Sequence, residues 1–224
     1  EGDLPIVGDF DRDGGMENLG FFRPSTQMWY YMVDGAPSTE YKRGPWGLDG
    51  DLPVAGDFDG DGFADDVAVY RPSTQMWYYD YDHNGTTNAG PIGPWGLPGD
   101  LPVAGDFDGD GVMDDVALYR NGEHNWYFDY NHDATTDSTA PWPWPDEYRM
   151  MQAKPFAGDF DGEGFVNDVG LMIYNRYWVI DYNHDGNFGG DETLPGTWGW
   201  HGEAPVRVFS LDYDRDGARE DIGY

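Results

Sequence analysis

The chain has 224 residues, with 43 acidic against 12 basic side chains and a formal net charge of −31. This charge disfavours nucleic acid as a partner, because nucleic-acid binding relies on Lys and Arg at the protein surface. Aromatic residues make up 17% of the sequence, whereas acidic disordered tails carry few. Cysteine is absent, which excludes disulfides. Because no apolar run approaches the ~18 residues of a membrane span, we expect no membrane insertion.

One unit recurs along the whole chain. The segment GDLPVAGDFDGDG occurs identically at residues 50–62 and 99–111, and RPSTQMWYY at 23–31 and 71–79. An acidic loop recurs at spacings of 48, 49, 53 and 53 residues, starting at Asp9, Asp57, Asp106, Asp159 and Asp212. Such periods are typical of repeat proteins and propellers. We therefore expect one repeat domain of four complete units and a partial fifth, with bounds 1–48, 49–97, 98–150, 151–203 and 204–224.

Each unit is predicted to contain only strands. In unit 2, LPVAGDF precedes the acidic loop, DVAVYRP follows it, and QMWYYDY comes after a Pro-Ser-Thr turn. A fourth strand is expected near residues 92–96. No window shows a helical apolar period. The sequence predicts an all-β fold of tandem blades, each of three to four antiparallel strands, arranged as a β-propeller or as an open linear stack.

The acidic loops keep oxygen donors at fixed positions. Calcium in an EF-hand-type loop takes oxygens from positions 1, 3, 5, 7 and 9, with a backbone carbonyl at position 7 and glycine at position 6. A merely solvated loop would not need this spacing, so we predict five cation sites. The expected ligands are Asp9, Asp11, Asp13, Gly15 and Glu17 in loop 1; Asp57, Asp59, Asp61, Phe63 and Asp65 in loop 2; Asp106, Asp108, Asp110, Val112 and Asp114 in loop 3; Asp159, Asp161, Glu163, Phe165 and Asn167 in loop 4; and Asp212, Asp214, Asp216, Ala218 and Glu220 in loop 5.

The acid that follows position 9 lies off this ligand pattern. It is Asp66 in unit 2 and recurs as Asp115, Asp168 and Asp221, with Asn18 in unit 1. We expect it to form a hydrogen bond at the start of the second strand.

A second type of loop, here called the second loop, follows the third strand of units 2, 3 and 4. In unit 4 it has EF-hand spacing at positions 1, 3, 5 and 12, and the alternative is a polar hairpin turn. Unit 1 has only MVDG at this place and is expected to lack the site. The candidate ligands are Asp80, Asp82 and Asn84; Asp129, Asn131 and Asp133, with Asp137 as a further candidate; and Asp181, Asn183, Asp185 and Glu192.

Calcium is the expected ion for both types of loop. Hard carboxylate and carbonyl ligands without cysteine favour it over zinc or copper, and magnesium rarely sits in a cage made only of protein atoms. The acidic loops predict about five sites and the second loops up to three. Eight divalent ions would carry 16 positive charges, about half of the formal net charge of −31.

These residues resemble the FG-GAP and VCBS-type calcium-binding repeats, which are related to the blades of integrin α-subunit propellers. The shared motif DxDxDGxxD is present at residues 57–65 and 106–114, and the flanking sequences are similar to the secreted prokaryotic form. The sequence departs from the integrin form, with PWG where Phe-Gly is expected. The resemblance implies four-stranded blades, calcium as a structural ion and an extracellular location, and it implies no particular activity.

The first functional hypothesis is a non-catalytic structural protein of the cell surface, used for attachment, adhesion or head-to-tail filament assembly. Catalysis is not expected, because the paired carboxylates all belong to repeating loops. His83, His132 and His184 likewise share position 4 of the second loops. Copies of the same chain are candidate partners, because an open stack would leave its end faces uncovered.

The alternative hypothesis is a carbohydrate-binding module, with cell-surface glycans as partners. It relies on exposed tryptophans, and the segment PWPWP at residues 141–145, which departs from the repeat, is the expected functional surface. Tryptophans of the third strand are instead expected to pack between blades. The third-strand set is Trp29, Trp77, Trp126 and Trp178, and the closing set is Trp46, Trp95, Trp142, Trp144, Trp198 and Trp200.

Overall fold

The computed structural model describes residues 2–16, 18–33, 36–142, 153–160, 164–173, 177–181, 209–211 and 221–223. These residues form strands, turns and connections and contain no helix. The prediction of an all-β fold is confirmed. Among the described residues no helix is available that could cross a membrane.

The strands form small antiparallel sheets, the blades, each built from strands that are consecutive in the chain. The strands are β1 (Leu4–Gly8), β2 (Asn18–Arg23), β3 (Met28–Val33) and β4 (Ala36–Arg43) in blade 1; β5 (Leu52–Gly56), β6 (Asp66–Arg71), β7 (Met76–Asp80) and β8 (Ala89–Ile92) in blade 2; β9 (Leu101–Gly105), β10 (Asp115–Arg120), β11 (Asn125–Asp129) and β12 (Ser138–Pro141) in blade 3; β13 (Ala153–Gly158), β14 (Asp168–Ile173) and β15 (Tyr177–Asp181) in blade 4; and β16 (Phe209–Leu211) and β17 (Asp221–Gly223) in a two-stranded sheet.

The fourth strand of blade 2 lies earlier than predicted. Strand β8 ends at Ile92, where residues 92–96 were expected to form the strand, and it pairs through Trp77 opposite Ile92 and Tyr79 opposite Ala89. Beyond Ile92 the chain turns across the end of the sheet, and the Trp95 N–H donates to the Gln75 carbonyl at 2.8 Å. Gly93 and Pro94 favour this turn over further pairing.

The blades are arranged as a propeller. The first strand of each blade contacts the first strand of the next, in the order β1, β5, β9, β13 and β16, and β16 in turn contacts β1. The first strands therefore form an inner ring, and the later strands of each blade lie progressively further out. Of the two predicted arrangements, the propeller is the one observed.

The core lies between neighbouring blades. In blades 2 and 3 the second strands, with the sequences DVAVYR and DVALYR, are buried along nearly their whole length, because both of their faces are covered. One buried cluster combines Trp29 and Phe22 of blade 1 with Val67 and Val69 of blade 2, and the next two clusters repeat this arrangement. Trp29, Trp77 and Trp126 are at most 1% exposed. The prediction that these third-strand tryptophans pack between blades is confirmed.

An Asp–Arg pair ties the start of the first strand to the end of the second. Asp51 accepts two hydrogen bonds from Arg71, at 2.8 and 2.7 Å, and Asp100 accepts two from Arg120, at 2.9 and 2.8 Å. Blade 4 has Ala153 paired with Ile173 at the corresponding register. The acid and the base are therefore replaced together by two apolar residues. This pairing was not predicted from the sequence.

Candidate metal sites

The acidic loops gather at one end of the propeller. Each connects the first and second strands of its blade, and the second loops connect the third and fourth strands at the same end of the sheet. Successive acidic loops are hydrogen-bonded around the ring. The Asp9 N–H donates to the Ala64 carbonyl at 3.0 Å, and the Asp57 N–H to the Met113 carbonyl at 2.8 Å. A cavity of about 240 Å³ lies among acidic loops 1 to 4 and is lined by positions 1, 6 and 8 of loops 1 to 3 and by Gly164, Phe165 and Val166 of loop 4.

The position 1 aspartate organises each acidic loop. Asp57 is buried at the end of β5, where its carboxylate accepts the N–H groups of Asp61 and Gly62, both at 2.9 Å. Asp9 accepts the equivalent pair from Asp13 and Gly14, both at 3.0 Å. The position 6 glycines have φ between +94° and +97°, a conformation that other residues adopt only with strain. The loops therefore curl around the carboxylate of position 1, as the predicted cation cage requires.

Three acidic loops bring carboxylates close enough to hold a metal ion together. In each group the candidate ligand oxygens all lie within 4.8 Å of one another. The groups are Asp9, Asp11 and Asp13; Asp57, Asp59 and Asp61; and Asp106, Asp108 and Asp115. Eight of these nine residues were predicted as ligands, and Asp115 was not.

In acidic loop 3 the acid after position 9, Asp115, belongs to the group of clustered carboxylates, which was not predicted from the sequence. Asp66 and Asp115 are each 1% exposed. One oxygen of each accepts the position 3 N–H, from Asp59 and Asp108 respectively, at 2.8 Å. The hydrogen bond expected at the strand start is therefore confirmed. The other oxygen is buried and has no hydrogen-bond partner in the described structure.

Burial strongly disfavours the charged form of these two acids. It raises the pKa of Asp66 to about 8, assisted by the negative charge of Asp59, and it raises the pKa of Asp115 to about 8 as well. A buried carboxylate oxygen without a partner is costly unless a cation or a donor reaches it. A divalent ion in the loop would satisfy it. The fit between these residues and a hard cation is therefore good.

Position 9 of acidic loop 2 contacts the neighbouring blade. Asp65 is buried, and its Oδ2 accepts a hydrogen bond from Arg12 Nε at 2.9 Å. Its Oδ1 is buried without a hydrogen-bond partner among the described residues. The prediction that Asp65 is a ligand stays a prediction. The sequence signal that could have separated Asp65 from Asp66 is strand register, because Asp66 is the first residue of β6.

The other ligand positions are only partly described. At position 7, where the backbone carbonyl was predicted to be a ligand, the N–H groups of Gly15, Phe63 and Val112 donate to the position 5 carboxylate at 2.9–3.1 Å. That the carbonyls of these residues and of Phe165 bind an ion stays a prediction. Asp110 and Asp114 lie in acidic loop 3, and Asp159 is buried in loop 4, where Asn167 is half-buried. Outside the described residues lie Glu17, Asp161, Glu163, the predicted ligands Asp212, Asp214, Asp216, Ala218 and Glu220 of loop 5, and Asn183, Asp185 and Glu192.

The second loops of blades 2 and 3 repeat the same backbone arrangement. Asp80 is buried and accepts the Asn84 and Gly85 N–H groups at 3.2 and 3.0 Å. Asp129 likewise accepts the Ala134 N–H at 2.9 Å. Ala134 has φ +64°, which explains why glycine is preferred there. Within the described residues these loops hold no group of three clustered acids, because amides occupy one ligand position in each.

Histidines at position 4 of the second loops pack between blades. The His83 ring stacks on Tyr31 with centroids 5.0 Å apart, and the His132 ring lies 5.0 Å from that of Tyr79. Both partners belong to the preceding blade. The lone His124 is buried, with Nδ1 3.2 Å from the Tyr119 hydroxyl. His83 and His132 therefore have a packing role, His184 lies outside the described residues, and the expectation that the position 4 histidines are not ligands stays a prediction.

The tryptophans with described side chains are all buried. Trp46, Trp95 and Trp142 are between 2% and 8% exposed, and Trp142 packs against Trp126 with ring centroids 5.9 Å apart. The expectation that Trp142 belongs to an exposed functional surface is therefore wrong. Its apolar ring completes the core between blades 3 and 4 instead. Trp144, Trp198 and Trp200 lie outside the described residues.

Comparison with protein-family models and with curated protein sequences finds no match. The resemblance to FG-GAP and VCBS-type repeats therefore stays a prediction that rests on the loop motif.

Proposed function

We propose that this protein is a non-catalytic calcium-binding structural protein, in which calcium ions in the acidic loops rigidify the blades of the propeller. One observation carries the proposal. In acidic loops 2 and 3, the buried acids Asp66 and Asp115 each direct one carboxylate oxygen to a loop N–H and leave the other without a described hydrogen-bond partner. Such an arrangement is unfavourable in an empty loop and favourable in one that holds a cation.

The donor chemistry supports calcium over other ions. The three clusters offer carboxylate oxygens alone, and the sequence contains no cysteine thiolate. Calcium accepts six to eight oxygens in flexible geometry, whereas magnesium demands a near-ideal octahedron and keeps several waters. Because the acidic loops are joined directly to the inner strands, cation binding in these loops is expected to stabilise the whole ring.

Removal of calcium tests this proposal directly. We expect EDTA to lower the Tm measured by circular dichroism by about 10 °C or more, because each occupied site stabilises the folded state by about 3 kcal/mol at saturating calcium. Readdition of calcium should restore the Tm, and magnesium at the same concentration should restore much less. A Tm that EDTA leaves unchanged would contradict the proposal.

A matched pair of charge variants separates ligation from net charge. Asp59→Asn removes a clustered carboxylate of acidic loop 2, whereas Asp49→Asn removes an exposed one outside the loops. We expect Asp59→Asn to reduce the calcium stoichiometry measured by titration calorimetry by one. The Asp49→Asn variant should bind as many ions as the unaltered protein.

An extracellular role in surface attachment or adhesion is proposed from the sequence resemblance and from the expected affinity. Extracellular calcium modules have a Kd of roughly 10⁻⁴–10⁻³ M, too weak for use where calcium is scarce. A Kd in this range, measured by calorimetry, is the expected result. Submicromolar binding would instead favour a role inside the cell.

The described structure bears on the carbohydrate-binding hypothesis and on the hypothesis of filament assembly. A carbohydrate-binding function now rests on Trp144, Trp198 and Trp200, because the closing-segment tryptophans with described side chains are buried. Filament assembly was inferred from the end faces of an open stack. Among the described strands β16 contacts both β13 and β1, so this reason for head-to-tail association does not apply to the ring.

A further inference from the structure

Arg12 extends from acidic loop 1 into acidic loop 2. Its Nη1 lies 3.1 Å from Asp61 Oδ2 and its Nε lies 2.9 Å from Asp65 Oδ2. The guanidinium also lies over the Phe63 ring, 5.3 Å from the centroid. All three partners belong to the loop of the neighbouring blade. Loop 2 therefore receives a positive charge from loop 1.

Arg12 has a left-handed backbone conformation, and at the equivalent position loops 2 and 3 have glycine. Arg12 has φ +59°, and the equivalent Gly60 and Gly109 have φ +72° and +75°. Arginine adopts this conformation with steric strain, whereas glycine adopts it freely. The contacts of the Arg12 side chain with loop 2 offset that strain. Because position 4 of loop 2 is Gly60, acidic loop 3 receives no equivalent charge from it.

The position of the guanidinium matters for cation binding. Asp61 belongs to the carboxylate group Asp57, Asp59 and Asp61, so Arg12 lies against a carboxylate of the candidate metal site. A positive charge there neutralises part of the field that attracts a divalent ion. The side chains of Arg12 and Asp61 are 46% and 35% exposed, and exposed ion pairs are weak. The pair can therefore open when an ion binds, with Asp65 still holding the guanidinium.

We propose that Arg12 is an internal counter-charge that weakens divalent-cation binding in acidic loop 2 relative to acidic loop 3. This inference rests on the proposed function, because it assumes that both loops bind calcium. It follows that loop 3 fills at a lower calcium concentration than loop 2. The order of filling is set by a residue outside both loops.

Site-resolved titration tests this inference. The N–H groups of Gly62 and Gly111 donate to the position 1 aspartates of loops 2 and 3, so their NMR signals report on the two loops separately. In ¹⁵N-glycine-labelled full-length protein, the Gly111 signal should respond to calcium at a lower concentration than the Gly62 signal. Arg12→Gly should lower the midpoint of the Gly62 response by about tenfold and leave that of Gly111 unchanged.

Introducing an arginine at position 4 of loop 2 provides the reciprocal test. Gly60 occupies this position, where its φ of +72° would strain any side chain, as at Arg12, but a Cβ would meet no atom within 4 Å. Gly60→Arg should therefore raise the midpoint of the Gly111 response by about tenfold, whereas Gly60→Ala should not. Arg12→Lys keeps the positive charge but loses the second nitrogen contact, so it should shift the Gly62 midpoint less than Arg12→Gly does.

The outcomes separate the two proposals. If both glycine signals respond to calcium but neither Arg12→Gly nor Gly60→Arg shifts a midpoint, the role of Arg12 is refuted while calcium binding stands. If neither signal responds to calcium in the unaltered protein, the proposed function itself fails. If Arg12→Gly weakens binding in loop 2, Arg12 supports the site rather than opposing it, and the inference is likewise overturned.

Discussion

Gly56 ends the inner strand of blade 2 at a point where the next blade leaves no room for a side chain. A Cβ at Gly56 would lie 2.5 Å from the Met113 carbonyl oxygen, and one at Gly105 would lie 2.4 Å from that of Val166. The same carbonyls accept the N–H groups of the following aspartates, Asp57 and Asp106. Glycine at this place therefore allows adjacent acidic loops to join through their backbones.

Substitution at Gly56 tests this close approach. Gly56→Ala should lower the free energy of unfolding by about 2–3 kcal/mol, because the added methyl group must push the Met113 carbonyl away. Gly122→Ala is the control, since a Cβ there meets nothing within 4 Å and no positive φ is required. Urea denaturation should show the difference. Equal stabilities of the two variants would argue against the backbone junction.

Some features of the acidic loops could be predicted from the sequence, and others could not. Eight of the nine residues whose carboxylates cluster lie at positions that the repeated DxDxD spacing had marked as ligands, and in acidic loop 3 Asp115 is clustered in place of the predicted Asp110. The acidic pattern alone did not separate Asp65 from Asp66, because both are buried and their different contacts, Asp65 with Arg12 and Asp66 with the Asp59 N–H, follow from strand register. The contacts of Arg12 were also beyond the sequence, since Asp61 and Asp65 lie about 50 residues away and loop-to-loop contacts have no local signature.

The ends of the first two strands of a blade are joined by an Asp–Arg pair in blades 2 and 3 and by an apolar pair in blade 4. Arg71 and Arg120 each bind an aspartate through two nitrogens and also cover a tyrosine ring, Tyr78 or Tyr127, at 4.3 Å. Blade 4 has an apolar pair in the same register. Sequence periodicity predicted the paired strands but not these side-chain partners, because the two residues are 20 positions apart.

A double-mutant cycle should reproduce the substitution seen in blade 4. Asp100→Ala should destabilise the protein by about 2 kcal/mol or more, because the largely buried Arg120 loses two hydrogen bonds and, among the described residues, keeps only an exposed contact with Glu123 at 3.5 Å as an ion pair, while the Leu97 N–H also loses its acceptor. Adding Arg120→Ile should recover part of that loss, since Ala153 and Ile173 pack at the corresponding place. Thermal unfolding of the three variants gives the coupling energy. Additive losses would contradict this interpretation.

For the molecule as a whole, the acidic loops and the second loops link stability to pH and to calcium together. Burial raises the pKa of Asp66 and Asp115 to about 8, and that of Asp9 and Asp80 to about 6. In the unfolded chain these groups titrate near 3.9. Between about pH 4 and pH 8 the folded state therefore binds more protons than the unfolded state, and the free energy of unfolding falls as pH rises.

Calcium should reduce this pH dependence, because a bound ion favours the ionised carboxylates. In EDTA we expect the Tm to fall by about 5 °C or more between pH 5 and pH 8. In saturating calcium the fall should be much smaller or reversed. Asp66→Asn should reduce the slope in EDTA, whereas the exposed Asp49→Asn should not. An EDTA slope of the opposite sign would show that the buried acids are ionised without a cation.

The contact between β1 and β16 also bears on how the chain acquires its structure. Each blade is a meander whose strands are neighbours in sequence, so its hairpins require only short loops to close. The ring contact between Leu4–Gly8 and Phe209–Leu211 instead closes a loop of about 200 residues, which makes it entropically the most demanding step. During synthesis the blades can form one after another, and the inner ring can close only once residue 211 has emerged. Until then the inner edges of blades 1 and 4 remain exposed, and this is the stage at which the nascent protein is most vulnerable to misassembly.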